Sequence, residues 1–297
     1  MNLRSWQFIP GDSEKKMGKA DGSPADALIL DIEDSVAPAR KGAARGMIRD
    51  HLAARPKAAR PSQLWVRINP LDDCALEDLS AIMPGAPDGI MIPKTNGPED
   101  VYQLGCYLDA LETRDGLELG STKILPVATE TAVAPLRIAE FAQADLPRLI
   151  GLTWGAEDLS AAVGASTNLD ETGQWALTYR FARVQMLLAA KACGVQAIDT
   201  LFVDFRDDAG LHASCVAAAN EGFTGRIAIH PAQVETINAA FAPSPQAVAH
   251  AQRVIAAFAA AGDAGTVGLD GKMIDIPHLK QAQHVLALHQ SYQSRGA

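Results

Sequence analysis

The stretch LILDIEDSV, residues 28–36, runs from an apolar segment directly into three carboxylates, Asp31, Glu33 and Asp34. Carboxylates held that close raise one another's pKa unless a cation balances them. Similar polar endings return along the chain: Arg67 and Asn69 in WVRIN, Lys94 after GIMIP, and Glu130 closing KILPVATE. Glu157 and Asp158 follow in GAEDLS, and His230 ends GRIAIH. Carboxylates from separate segments suit a hard divalent cation, Mg2+ or Mn2+; Mg2+ takes one or two of them and keeps several waters. Arg67, inside an apolar run, either pairs with one of these acids or offers its planar fork to a substrate carboxylate. Lys94 is either a Schiff-base lysine or an electrostatic group kept protonated by the acids around it.

Each residue also has a plainer reading. A lone carboxylate at a strand end is commonly a helix cap or the partner of a nearby arginine. Clustering changes the weighing, because three strands deliver acids to one rim. Glu130 and Asp158, on successive strands, can reach one ion, and Asp31, Glu33 and Asp34 then hold metal-bound water or fix the basic residues. His230 reads as a structural hydrogen-bonding residue. Lys15, Lys16 and Lys19, in PGDSEKKMGKA, form either a solvated helix face or a clamp for phosphates, which an acidic protein must concentrate locally.

The elements that carry these residues read as an α/β alternation. Strands are expected at 6–10, 27–33, 64–69, 89–94, 123–130, 149–155, 197–205 and 225–231, most of them apolar throughout, as in a parallel sheet covered on both faces. Helical stretches lie between them. WALTYRFARVQMLLAAKACG places Tyr179, Arg183, Leu187 and Lys191 one turn apart and stops at Gly194. Eight such units predict a closed (β/α)8 barrel, for which ~250 residues is typical and in which chemistry sits at the C-terminal strand ends. The rival, an open doubly wound sheet, lacks a G-x-G-x-x-G or G-x-x-x-x-G-K-[ST] after any strand. Residues 1–231 are assigned to the barrel. Residues 232–297 form a C-terminal lid or arm: a helix from about Pro245, two short strands in TVGLDGKMID, and a last helix with Pro277 in its first turn.

Composition narrows the classes. A formal net charge of −9 argues against a general nucleic-acid binder, which needs a basic face. Cys74, Cys106, Cys193 and Cys215 are widely spaced with no C-x-x-C pair, as for reduced thiols in a cytoplasmic protein. No apolar run reaches the ~18 residues of a membrane span.

The ordered motifs RSWQFIPGDSEKKM, ADALILDIEDSVAP, WVRIN, IPK, TETA, GAEDLS, QAIDTLFVDFRDDAGL, GFTGRIAIHPAQV and GKMIDIPHLKQAQ carry a resemblance over nearly the whole chain. Together they resemble the citrate lyase β-subunit-like branch of the HpcH/HpaI aldolase family, which includes malyl-CoA and citramalyl-CoA lyases. The resemblance implies a TIM barrel that binds Mg2+ through Glu130 and Asp158, and an Arg67 that holds a keto-acid carboxylate. It implies that Asp275, in GKMID, is an acid/base brought by the C-terminal lid of a neighbouring subunit in a trimer or dimer of trimers. From the residues alone Asp275 reads as a helix-start residue. Lys15, Lys16 and Lys19 are similar to the family's CoA-phosphate contacts. The implied substrates are a small acyl-CoA thioester and a 2-keto acid; thioester hydrolysis and action on a carrier-bound citryl group stay open.

Overall fold

The computed structural model describes residues 2–262 and 264–293 of the chain. Eight parallel strands are present: β1 (Ser5–Pro10), β2 (Ala27–Asp31), β3 (Gln63–Arg67), β4 (Gly89–Ile92), β5 (Lys123–Pro126), β6 (Gly151–Thr153), β7 (Gln196–Asp199) and β8 (Gly225–Ala228). They lie in the order β5-β4-β3-β2-β1-β8-β7-β6. Parallel bridges Ile124↔Leu149 and Val127↔Thr153 bring the two ends together, so the sheet forms the nearly closed barrel expected. Most strands stop a few residues earlier than their apolar runs, because the polar groups that follow leave the ladder for the loops.

The intervening helices are α1 (Glu14–Ala20), α2 (Lys41–Ala53), α3 (Ala75–Ile82), α4 (Pro98–Asp115), α5 (Ala134–Arg137), α6 (Ala156–Ala162), α7 (Leu177–Ala192), α8 (Asp208–Glu221) and α9 (Val234–Phe241). Local chemistry sets their ends. Ser13 caps α1 through Lys16 N–H, and Asp207 caps α8 through Gly210 N–H at 2.8 Å. Pro98 opens α4, while Gly116 closes it and Gly194 follows α7, both glycines at positive φ. The segment PLRIAEFAQA is not one helix: α5 has four residues and passes into a 3-10 turn, Ile138–Gln143, with no side-chain cap at its start.

Two apolar layers hold the barrel. Inside it, Trp6, Ile29, Trp65, Met91, Leu125, Ile198 and Ile227 interlock, with Trp6 and Trp65 edge to face at 5.0 Å. Gly89 is demanded here, since a Cβ on it would stand 2.3 Å from the Trp65 ring. The second layer packs between strands and helices, and Val234, Ile237 and Phe241 place α9 within it. The separately packed unit therefore begins with α10 (Pro245–Ala261), beyond the residue-231 boundary read from the sequence. There α10, the hairpin β9 (Thr266–Leu269) and β10 (Lys272–Asp275), and α11 (Ile276–Gln293) share a small core of Ala251, Val254, Phe258, Ile274 and Ala282. Asp270 and Gly271, both at positive φ, make the tight turn that suits a twisted hairpin. Tyr292 lies under the Arg4 guanidinium, 4.7 Å from its ring centroid, at the N-terminal end of β1. No helix among the described residues is long and apolar enough to cross a membrane.

Candidate active site

The parallel register sets β2 and β3 side by side so that Asp31 faces Arg67. The barrel's inner face thus turns from apolar to ionic within one residue step of the rim. Asp31 accepts from Arg67 Nε and Nη2, both at 2.7 Å, and from the Glu33 and Ser35 N–H groups at 3.0 and 3.1 Å. Arg67 Nη1 lies 2.9 Å from Glu33 Oε2, and the guanidinium rests over the Phe8 ring at 4.5 Å. The acid-pairing reading of Arg67 is met, since Asp31 takes its Nε and Nη2, and the residue also lines a cavity of about 70 Å3 at the C-terminal strand ends. Burial disfavours the Asp31 carboxylate, but the Arg67 fork outweighs it and holds Asp31 below the usual range. The same acids push the Arg67 guanidinium up against its own desolvation.

Glu130 and Asp158 line that cavity too. Glu130 follows β5, and Asp158 sits in the first turn of α6, where the helix dipole favours an anion. Burial, and then the Asp158 charge, push the Glu130 carboxyl up to about 8. Glu130 Oε2 accepts the Lys94 N–H at 2.7 Å. Gly155 makes room for this carboxylate, because a Cβ there would stand 2.8 Å from Glu130 Cγ and 2.9 Å from Oε1. Among the described residues no group of three or more His, Cys, Asp or Glu side chains could hold a metal. A pair of hard oxygen donors, one of them raised for want of a countercharge, fits a two-carboxylate Mg2+ site completed by water.

Lys94 ties the two halves together. Its backbone is left-handed, φ 52°, which aims the amide at Glu130. Its ammonium pairs with Glu33 and lies 3.6 Å from both Asp34 and Asp158. Those acids raise the Lys94 pKa despite its desolvation, so it stays charged, contrary to the needs of a Schiff-base amine. Burial above all keeps the Glu33 carboxyl raised.

Glu157, beside Asp158, also lines the cavity, and the other sequence-derived positions lie elsewhere. Asn69 is tied to Asp78 through its N–H and Nδ2, both at 2.7 Å. His230 accepts the Ala232 N–H at 3.2 Å and closes a capping box with Gln233. Lys15, Lys16 and Lys19 stand exposed on α1, in no ion pair among the described residues. Asp275 is half-exposed at the end of β10, bonded to His278 just before α11, and does not line the cavity.

The sequence reading passed over Phe8, which supports the Arg67 plane, and Asp199, the acid that ends β7. Asp199 accepts from Trp154 Nε1 at 2.7 Å and Arg226 Nη2 at 2.6 Å, behind the loop that carries Asp158. Its place at the end of an apolar run was the signal that could have found it. A wider hollow of about 970 Å3, lined by Lys57, Tyr102, Lys123 and Arg148, lies by the opposite strand ends, where Arg148 is already satisfied by Glu112.

The fold agrees with comparisons to known proteins. The family model for HpcH/HpaI aldolase/citrate lyase matches residues 4–231. The chain is 36% identical over 287 residues to citrate lyase subunit beta of Escherichia coli (strain K12), covering 96% of this chain and 92% of that one. It is 34% identical to (3S)-malyl-CoA thioesterase of Cereibacter sphaeroides (96% and 94% covered) and 33% identical to mitochondrial citramalyl-CoA lyase of Homo sapiens (98% and 87%). Among solved structures, protein CitE of Mycobacterium tuberculosis in complex with magnesium, acetoacetate and coenzyme A superposes with a TM-score of 0.77 at 33% identity, covering 97% of this chain and 98% of that one.

Proposed function

The chain belongs to the HpcH/HpaI aldolase/citrate lyase family, a family of lyases, and from that premise we propose that it cleaves a short 3-hydroxyacyl-CoA, citramalyl-CoA or malyl-CoA, to acetyl-CoA and pyruvate or glyoxylate. The convergence of Glu130, Asp158 and Arg67 on one cavity carries this reading. Glu130 and Asp158 hold Mg2+, which supplies the Lewis acidity that makes the carbinol hydroxyl easy to ionise. Arg67, fixed in plane by Asp31 and Phe8, takes the carboxylate that becomes part of the keto acid and offsets charge as the bond breaks. The carbinol hydroxyl loses its proton to solvent and its oxygen becomes the keto oxygen as the bond between the carbinol carbon and the thioester α-carbon cleaves, whose electron pair passes into the thioester enolate. Asp275, reaching in from a neighbouring copy, donates a proton to that carbon. The arm's own docking supports a neighbour as its source, since Tyr292 anchors α11 at the strand ends opposite this cavity. Lys15, Lys16 and Lys19 follow β1 at the cavity end of the barrel and suit the CoA phosphates.

Mass spectrometry of products from malyl-CoA and citramalyl-CoA, with Mg2+ or EDTA, tests the reading. Metal-dependent acetyl-CoA plus a keto acid supports it. Free CoA with intact malate or citramalate makes the protein a thioesterase, and no turnover of either points to a carrier-bound citryl thioester.

Two results are expected from variants. Asp275→Asn and Glu130→Gln chains, each inactive alone, regain turnover when co-refolded, because a mixed assembly contains sites with one intact copy of each group; persistent inactivity of the mixture rules out sharing. Lys94→Met, which removes an ammonium 3.6 Å from Asp158, binds Mg2+ about tenfold tighter by calorimetry without substrate, since a competing cation is gone. Unchanged or weaker binding would show that Lys94 does not compete with the metal.

A further inference from the structure

Strand β6 turns every second side chain into the barrel. Leu152 packs outward between strands and helices, while a Cβ on Gly151 would meet Leu125 and Ile198 of the inner layer. Thr153 shares the face of Gly151 and lines the candidate active-site cavity at the rim. Its backbone is fixed there, since the Thr153 carbonyl accepts the Ala128 N–H at 2.8 Å. The residue is 1% exposed, and its Oγ1 has no hydrogen-bond partner among the described residues.

A buried hydroxyl left unpaired is destabilising, and a valine of the same shape would fill this place without that cost. Neighbouring threonines of the rim are paired. Thr95 Oγ1 donates to the Val127 carbonyl at 2.9 Å, and Thr129 Oγ1 accepts the Gly155 N–H at 3.2 Å. An unsatisfied polar group that lines a cavity with Arg67, Glu130 and Asp158 points to a partner from outside the chain.

The groups around it say what that partner is. Arg67 lines the same cavity, but Asp31 takes its Nε and one Nη2 N–H, and its Nη1 stands against Glu33. A carboxylate brings two oxygens with about four lone-pair sites, more than the remaining guanidinium N–H groups fill. Thr153 supplies a further donor and no charge. The cavity volume of about 70 Å3 suits the short keto-acid end of the substrate rather than the CoA.

We propose that Thr153 Oγ1 is a substrate-binding group, donating a hydrogen bond to the carboxylate that Arg67 holds. The assignment rests on the lyase reaction proposed above and adds a neutral donor to its anion site.

Calorimetric titration of pyruvate and glyoxylate in Mg2+, with steady-state kinetics of their condensation with acetyl-CoA, tests it. Thr153→Val is expected to weaken keto-acid binding and raise its KM about thirtyfold, with the KM for acetyl-CoA within about twofold of the parent. The unfolding midpoint of the metal-free variant holds or rises, because the unpaired hydroxyl is gone. Thr153→Ser, which keeps the hydroxyl, stays near the parent in both measurements. Should the valine variant misfold, Thr153→Ala against Thr153→Ser isolates the hydroxyl equally well. Keto-acid binding and KM unchanged without the hydroxyl, or lost equally in Thr153→Ser, would overturn the assignment and leave the lyase reading in place. A parent that neither binds nor condenses a keto acid would remove the lyase reading itself, and this assignment with it.

Discussion

Replacing Glu130 by Gln is expected to abolish Mg2+-dependent turnover and, at alkaline pH, to stabilise the metal-free protein. Glu130 is buried beside Asp158, with a carboxyl pushed up to about 8 by burial and by that neighbouring charge. In the unfolded chain the same group titrates at the ordinary carboxylate value, near 4.5. Between those values the folded state keeps a proton that the unfolded state has lost, so this group's contribution to stability falls as pH rises. It is fully present below the ordinary value and gone once pH exceeds about 8. The accumulated loss is about 5 kcal/mol. Gln cannot ionise, yet it keeps an oxygen for the Lys94 N–H.

Thermal unfolding in EDTA should show Glu130→Gln melting about 8 °C above the parent at pH 9 and close to it at pH 4.5. Mg2+ should raise the parent's midpoint at pH 8 and leave the variant unmoved, because mass-action stabilisation needs both carboxylates. Parallel pH curves for the two proteins, or an equal Mg2+ response, would place the cation elsewhere.

Removing Asp31 should have the opposite effect on stability. Asp31 is buried and accepts two bonds from Arg67 and two from backbone N–H groups. Asp31→Ala leaves a buried guanidinium with Glu33 as its remaining acid contact, and stripping one partner from a buried pair costs about 3–5 kcal/mol. The Arg67 plane is then held only by Phe8 and Glu33. In the condensation direction KM for the keto acid should rise by about two orders of magnitude, since a small misplacement of a clamping arginine is that expensive. Steady-state kinetics separate the roles: a purely structural Asp31 lowers the amount of active protein and leaves KM unchanged. Because the Asp31 pKa is depressed, its contribution is complete above the ordinary carboxylate value and fades as pH falls through the lowered one. The parent should therefore lose stability in acid through Asp31, and in alkali, when metal-free, through Glu130.

Much of this was legible in the residues. Apolar runs of strand length separated by helical segments specify a parallel sheet, because only strands buried on both faces read that way. Eight of them, each followed by polar groups, specify a barrel with its chemistry on one rim. Arg67, Glu130, Asp158 and Lys94 were found on that basis, and the motifs around them pointed to the family. The structural hydrogen bonding read for His230 is present in its cap.

What the sequence could not decide was where each polar side chain points and what it meets. That depends on pleat parity and on the stagger between neighbouring strands, neither of which is local. Asp31 and Asp199 both end apolar strands; register puts Asp31 against Arg67 inside the barrel, while Asp199 turns outward to Arg226 and Trp154. The left-handed turn at Lys94, which sends its amide to one acid and its ammonium to three others, carries no glycine to announce it. For α7, the sequence shows an apolar helix with two candidate faces. Only packing decided which one the barrel buries and which one, Leu177 to Leu188, is left exposed.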